Sequence, residues 1–520
     1  MKRIVKVLLI MQIVLVCMAL GLGPAVAASD TEALLTAEAS LSSEAAVERT
    51  LADMEAMDAA MAPSGYALAV QVPFRSTLGA QYTSLKENID SNAILRPSAG
   101  RENPAGPLAP PVFKGKNIEG VNQTTGGGWR PPDTHGAVGN THFVEVTNSH
   151  VDMYTKGTGA RVKSVTLNSF FGYTATALFD PRCIYDRVWD RYIIISDSFV
   201  DTGDVQRVFI AISKTANPLG AWWIYAVDIG SNEFFFDYPQ LGMDQDAIIL
   251  TANIFSPSSF LGAETFAVSK AALYNGWGWS VPVYTGLSGT LAPPIVLDSN
   301  GKAFMVSAPG GTGITTVYKY TMEKAGRSDV TLSAPAPITV SSYSVPPSAA
   351  QPGTASTLDT LDARFVNAST QVGDSLFQVH TVAFGSWPAP HWYEFNTTTN
   401  TVSQSSFFYA SGTSYDWNAS IAANDAKDVY VTWSSTDPAS SVNVQVRFSG
   451  RKAADPPTIW AGSSLFQSTT FYDPTADQPE RWGDYSAVSV DPTNSNFAWI
   501  VNEKINSSTV WGTRIGRIGF

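Results

Sequence analysis

The stretch Phe179-Asp180-Pro181-Arg182-Cys183-Ile184-Tyr185-Asp186, followed by Tyr192-Ile193-Ile194-Ile195, combines an Asp-bearing turn, a short apolar run, a second turn and a β-branched strand. Short β-branched runs bounded by Gly, Pro, Asn and Asp are strand signals. The phrase recurs along the chain. It starts at Asp133 in Pro131-Pro132-Asp133-Thr134-His135, at Asp237 in Phe236-Asp237-Tyr238-Pro239 and at Asp362 in Leu361-Asp362-Ala363-Arg364. It starts again at Asp416 in Tyr415-Asp416-Trp417-Asn418 and at Asp484 in Gly483-Asp484-Tyr485-Ser486. A further copy, Ala292-Pro293-Pro294-Ile295-Val296, carries Pro293 where the others carry Asp. Successive copies lie 47, 57, 56, 69, 54 and 68 residues apart. A blade of four short strands takes about 40–50 residues plus loops. The spacing therefore predicts an all-β fold, a seven-bladed β-propeller over 112–520, with each copy supplying the first two strands of a blade. A β-sandwich is the competing all-β arrangement. Ring closure is expected near Val112-Phe113 or between Val510 and Ile518, because closure protects sheet edges.

Composition narrows the function classes. Of 520 residues, 44% are hydrophobic and 11% aromatic, while 15% are charged, against about 25% in ordinary soluble domains. Such a chain buries a large core and is not intrinsically disordered. A formal net charge of -12 with 33 Lys plus Arg argues against nucleic acid, since phosphate neutralisation needs basic side chains.

The N-terminus reads as an export signal. Lys2, Arg3 and Lys6 precede the apolar run from Val7 to Leu22, and Ala25-Val26-Ala27 supplies small residues for cleavage. Residues 1–27 are thus expected to be a signal peptide, and the protein to be secreted, extracellular or periplasmic. Their removal leaves 30 basic against 45 acidic residues, a balance of −15. It also leaves Cys183 as the sole cysteine, so no internal disulfide can form. No later stretch is long and apolar enough to span a membrane. Residues 28–111 are expected to be a helical propeptide or stalk followed by a linker. Val47, Leu51, Met54 and Met57 fall on one helical face within 31–61, and Pro97, Pro104, Pro107, Pro110 and Pro111 mark the linker.

Four phrases resemble those of a group of exported bacterial β-propeller proteins loosely grouped with sialidase-like and BNR-like propellers. They are PPDTHGAVGNTHFVEVTN at 131–148, FDPRCIYDRVWDRYIIISDS at 179–198, SKTANPLGAWWIYAVDI with FFFDYPQLGMDQDAIILTANIF at 213–255, and RWGDYSAVSVDPTNSNFAWIVNE at 481–503. The resemblance spans roughly 115–518 and implies a fold and a compartment, while function is set by the site a fold carries. The sialidase Asp-box, Ser-x-Asp-x-Gly-x-Thr-Trp, does not occur in this sequence.

In a propeller the turns entering the inner strands ring one mouth of the axis. Asp133, Asp180, Asp237, Asp362, Asp416 and Asp484 are expected to converge there. Three uses follow. The Asp side chains cap their own turns, coordinate Ca²⁺, or bind and process a sugar or peptide. Arg182, Arg364 and Arg481 stand within three residues of an Asp, placed either to neutralise it or to hold a ligand carboxylate bidentately. His135, inside the first Asp turn, is the best-placed acid–base histidine. A zinc site from His135, His142 and His150 has spacings that match no helix. No Gly-x-Ser-x-Gly elbow or Walker A loop occurs. The expectation is a monomer that binds an extracellular glycan or protein at one mouth. The alternative is a glycoside hydrolase or polysaccharide lyase using the same mouth.

Overall fold

The computed structural model describes residues 33–61, 71–72, 74–87 and 110–520. The signal peptide read over 1–27 and the prolines at 97, 104 and 107 lie outside the described residues. From Leu34 onward the chain forms one compact unit. Among the described residues no helix is long and apolar enough to cross a membrane.

Antiparallel sheets built from consecutive strands are arranged about one axis, as a propeller requires. His135–Val138, His142–Thr147, His150–Thr155 and Arg161–Thr166 make a four-stranded blade. The strands from Leu178–Asp186 to Trp222–Gly230 make the next. A third discrete blade covers Leu291–Ala292 to Ala336–Tyr343, and a fourth Tyr415–Ala423 to Ser463–Gln467. The fifth joins the two ends of the main domain. Val112–Asn122 pairs antiparallel with Val510–Gly519, which continues into Phe497–Ser507 and Ala487–Val490. Closure therefore comes from start and end together. Buried Glu145 ties this seam, accepting from Tyr154 Oη at 2.9 Å, Val121 N at 3.2 Å and the Thr513 hydroxyl.

The expectation of seven blades is corrected. Five discrete blades are present, and the copies starting near Asp237 and Asp362 are fused into a single ten-stranded sheet. Pro293 is the physical reason. It breaks the strand it occupies, because proline offers no N–H to a ladder. Leu291–Ala292 stays with its own blade. Pro294–Val296 leaves it and pairs in parallel with Met243 on one side and Ser369–Val372 on the other.

Aromatic wedges fill the space between sheets. Trp222, Trp392, Trp417, Trp433, Trp482, Trp499 and Trp511 are fully buried. Each removes about 200 Å² from water, worth roughly 5 kcal/mol against an extended chain. Several indole N–H groups are also satisfied, as in Trp433 Nε1 to Asp416 Oδ1 at 2.9 Å and Trp511 Nε1 to Trp129 O at 2.7 Å.

The N-terminal segment departs from its helical pattern. Leu34–Leu35, Ala39–Ser43 and Val47–Arg49 are edge strands added to three successive sheets, on Thr331–Ser333, Trp279–Leu287 and Trp222–Gly230. Helix then runs over Leu51–Ala60, capped by Thr50 in a capping box with Asp53. Leu51 and Met54 bury against Phe170 and Phe171, while Val47 is 64% exposed. Unpaired outer edges accept any extended segment with free backbone groups, and this outweighs a weak helical preference in Ala39-Ser40-Leu41-Ser42-Ser43.

Candidate functional site

The Asp turns are not open loops. They sit at the entry of inner strands, where the backbone turns left-handed: φ is +45° at Asp133, +50° at Asp180, +57° at Tyr238 and +51° at Asn418. Pairing skips between Asp237 and Gln240 and between Trp417 and Ser420, as at a β-bulge. Non-glycine residues in this region are strained, and such strain gathers at functional positions.

The structure brings together most of the ten residues singled out in sequence. Asp133 Oδ2 accepts from Asn148 Nδ2 at 2.6 Å, and its Oδ1 accepts from the Asp484 backbone N at 2.7 Å. The next residue, Tyr485, donates its hydroxyl to Asp180 Oδ2 at 2.8 Å. Asp133, Asp180 and Asp484 are thus linked through one dipeptide, and each is buried. Asp237 lies close enough to Asp180 and Asp484 for the charges to repel. Burial first, and neighbouring carboxylates second, push Asp180 up to about 7. Burial likewise dominates at Asp133 and Asp484, which reach about 7, and at Asp237, which reaches about 6 where Arg75 and Arg364 hold it lower.

Three arginines interleave with these carboxyls. The Arg182 guanidinium lies 3.3 Å from the centre of the Tyr485 ring and donates to Pro239 O at 2.9 Å and Asn367 Oδ1 at 2.7 Å. Arg364 makes a bidentate pair with Asp362, both bonds 2.6 Å, and stacks on Tyr238. Arg481 reaches Asp484 at 3.2 Å. Arg182 Nη2 and Arg481 Nε and Nη1 are buried without a partner among the described residues.

Two expected members stand apart. Asp416 serves its own turn, accepting from Ala410 N, Ser414 Oγ and Trp433 Nε1. His135 turns away, with Nδ1 against the Cys183 backbone at 3.0 Å, and is pushed down to about 3 by burial and by Arg182. It is therefore a neutral ring, not a near-neutral acid–base group. The zinc arrangement is not formed: His142 bonds Thr141 and His150 bonds Ser149. For Ca²⁺, no three His, Cys, Asp or Glu among the described residues are grouped to hold a metal ion.

Sequence reasoning missed several members of the cluster. Asp197 is buried with neither oxygen bonded among the described residues, and burial holds it well above the usual carboxylate range. Its signal, one Asp within Ile194-Ile195-Ser196-Asp197-Ser198, does not differ from a strand end. Glu503 is similarly buried and raised, with one oxygen accepting from Gly483 N at 2.7 Å. The larger omission is residues 71–72 and 74–87, which pack over the mouth. Val72 N bonds Arg130 O at 2.8 Å, and Phe74 lies under the Arg481 guanidinium at 4.6 Å. Arg75 stacks on Phe235, and Thr77 Oγ1 donates to Asp362 Oδ2 at 3.3 Å. From the helix Gln81–Glu87, Tyr82 Oη reaches Asp359 Oδ1 at 2.5 Å and Lys86 Nζ pairs with the same carboxylate at 3.2 Å. The segment supplies cations and a phenol to a carboxylate-lined mouth, as a ligand would.

The opposite end of the axis is open. The far halves of the inner strands enclose a cavity of about 370 Å³, and of the ten residues only His135 lines it.

No family model and no curated protein sequence matches the chain, so the grouping with sialidase-like and BNR-like propellers gains no support there. Solved structures are similar in part. An exo-β-1,3-galactanase of Phanerochaete chrysosporium with galactose is 14% identical over 62% of this chain and 80% of its own, with a TM-score of 0.32. A Penicillium chrysogenum α-L-arabinanase complexed with arabinobiose is 10% identical over 67% and 99%, with a TM-score of 0.35. A protein of unknown function from Dyadobacter fermentans is 10% identical over 65% and 93%, also at 0.35. Likeness at this level assigns no activity.

Proposed function

We propose that the protein is an exported carbohydrate-active enzyme whose acid and base come from Asp133, Asp180, Asp237 and Asp484. One observation carries this reading: Asp133, Asp180 and Asp484, held together through Asp484-Tyr485, are pushed up to about 7. Crowded carboxyls titrate as a set, so protonated and ionised members coexist near neutrality. Glycoside cleavage uses such a pair, one carboxyl protonating the leaving oxygen and the other acting as base or nucleophile. The unpartnered N–H groups of Arg182 and Arg481 favour a substrate with a carboxylate, such as a uronic or sialic acid. Export rests on the signal read over 1–27.

Entry of a glycan requires residues 71–87 to leave the mouth, so activity is expected to be low in the closed chain. The test is a panel of acidic and neutral polysaccharides offered to the full chain and to Lys86→Met, with reducing ends and unsaturated products both measured. Release by Lys86→Met, abolished by adding Asp180→Asn, supports the reading. No product from either protein overturns it. Retention on a glycan array without turnover would instead establish plain ligand binding, which the same arginines also favour.

A further inference from the structure

The end of the axis away from the carboxylates has its own chemistry. Its cavity of about 370 Å³ falls in the range of small-molecule sites. Val138, Ile184, Val296, Ile421, Ala422 and Val488 make much of its wall, so its occupant has an apolar body. Charges at the rim are largely cancelled in pairs. Lys270 Nζ meets Asp186 at 2.7 Å, and Asp186 also accepts from Tyr274 Oη at 2.6 Å. Lys156 meets Asp491 at 2.6 Å, and Arg187 pairs with Asp425. Asp298 spends one oxygen on Asn300 N and the other on Gly373 N.

Asp244 differs. It lines the cavity and is 4% exposed. Its Oδ1 accepts from Asp246 N at 2.9 Å and Ala247 N at 2.7 Å, which fixes the carboxyl in place. No hydrogen bond from the described residues reaches its second oxygen. Lys270, paired with Asp186, acts on Asp244 only through space and makes no hydrogen bond to it. An acceptor held rigidly on a largely apolar wall selects a ligand with one strong donor, and a charge-assisted donor gains most there.

We infer that this cavity is a binding site for a small apolar molecule carrying one amine, with Asp244 as the amine's partner. The site lies at the opposite end from the carboxylate cluster and does not depend on the enzymatic reading.

The experiment is calorimetric titration of the full chain with 1-adamantylamine and with 1-adamantanol, rigid apolar bodies differing in the polar group. The amine should bind about tenfold or more tightly than the alcohol, the margin a charge-assisted hydrogen bond provides. Asp244→Asn keeps the Oδ1 acceptor, and there the two affinities should converge. Ile421→Trp should fill the cavity and abolish both. Thermal melts check that each variant folds, and Asp244→Asn alone suffices if Ile421→Trp does not. Absence of binding, equal affinity in the native chain, or an amine preference that survives Asp244→Asn would overturn the inference.

Discussion

Lys86→Met tests how the carboxylate mouth is kept shut. Lys86 and Asp359 are 6% and 5% exposed, and Nζ also donates to Leu361 O at 2.7 Å, Thr360 Oγ1 at 2.8 Å and Pro346 O at 3.2 Å. Methionine keeps most of the apolar stem and removes the ammonium. Asp359 then keeps the Tyr82 hydroxyl and the more distant Arg481 but loses its ion-pair partner, and breaking one side of a buried pair costs about 3–5 kcal/mol. Undocking 71–87 lets water reach Asp359, so most of that cost falls on docking. The opening equilibrium should rise by about 10²–10³-fold, at 1.4 kcal/mol per factor of ten. Hydrogen exchange of peptides covering 74–87 reads this directly, with the blade strands as internal reference. Lys86→Met/Asp359→Asn should recover much of the protection, because Asn carries no charge to leave unpaired. pH offers a second check. Burial raises Asp359, yet Lys86 and Arg481 outweigh it and hold the group below its ordinary value. The docking this pair contributes is therefore present above about pH 4 and lost as pH falls through the lowered folded value. Protection of 74–87 within about threefold of native in Lys86→Met, or a double variant as labile as the single, would refute the account.

The remaining predictions concern the frame. Asp133, Asp180 and Asp484 hold protons in the folded chain up to about pH 7, against 3.8 unfolded, so their contribution favours folding below about pH 4 and is lost as pH rises towards 7. Urea melts between pH 4 and 8 should show stability declining in that window, and a flat profile would contradict the burial argument. Asp197→Asn removes another carboxyl raised by burial, so unfolding midpoints should change little below about pH 4 and increase progressively towards pH 9. Gly462→Ala places a Cβ 2.0 Å from Phe448 O at a φ of +63°, and thermal melts should show a loss of roughly 2–3 kcal/mol. Thr513→Val takes a hydroxyl from buried Glu145 at the closing seam, with an expected loss of about 1–3 kcal/mol in the same melts.

Much of the frame was legible because it is written locally. Asp133, Asp180, Asp237 and Asp484 mark the entries of inner strands, and continuous apolar runs such as Tyr192 to Ile195 are buried strands, as their β-branched content implies. The blade number was not legible, because it depends on partners. Pro293 was visible as a departure, but nothing near it indicates that Pro294–Val296 would bridge two neighbouring copies in parallel. The 34–49 stretch was misread for a similar reason: a helical spacing of Val47, Leu51 and Met54 says nothing about three empty sheet edges waiting at Trp222, Trp279 and Thr331. Of the cluster, Asp133, Asp180, Asp237 and Asp484 are singled out by repetition and Arg182, Arg364 and Arg481 by standing near an Asp, whereas Tyr485, Asp197, Glu503 and Lys86 join only through distant folding.

These two kinds of legibility have one cause. Repeated residues at the inner-strand entries answer to the frame, since several of these strands share a left-handed residue or a skipped pairing at that point. Asp416 shows that position serving its immediate surroundings, accepting from Ala410 N, Ser414 Oγ and the Trp433 indole on the neighbouring strand. Its counterparts reach beyond their turns. Asp133 and Asp180 take partners from the 484–485 dipeptide, roughly 300 or more residues away, and Asp484 takes Arg481 while still being pushed up in pKa. A cluster that merely held the axis together would be more stable with fewer buried charges and no orphaned guanidinium N–H. The unpartnered N–H groups of Arg182 and Arg481, beside carboxyls that burial pushes up to about 7, are the physical ground for proposing chemistry at that mouth.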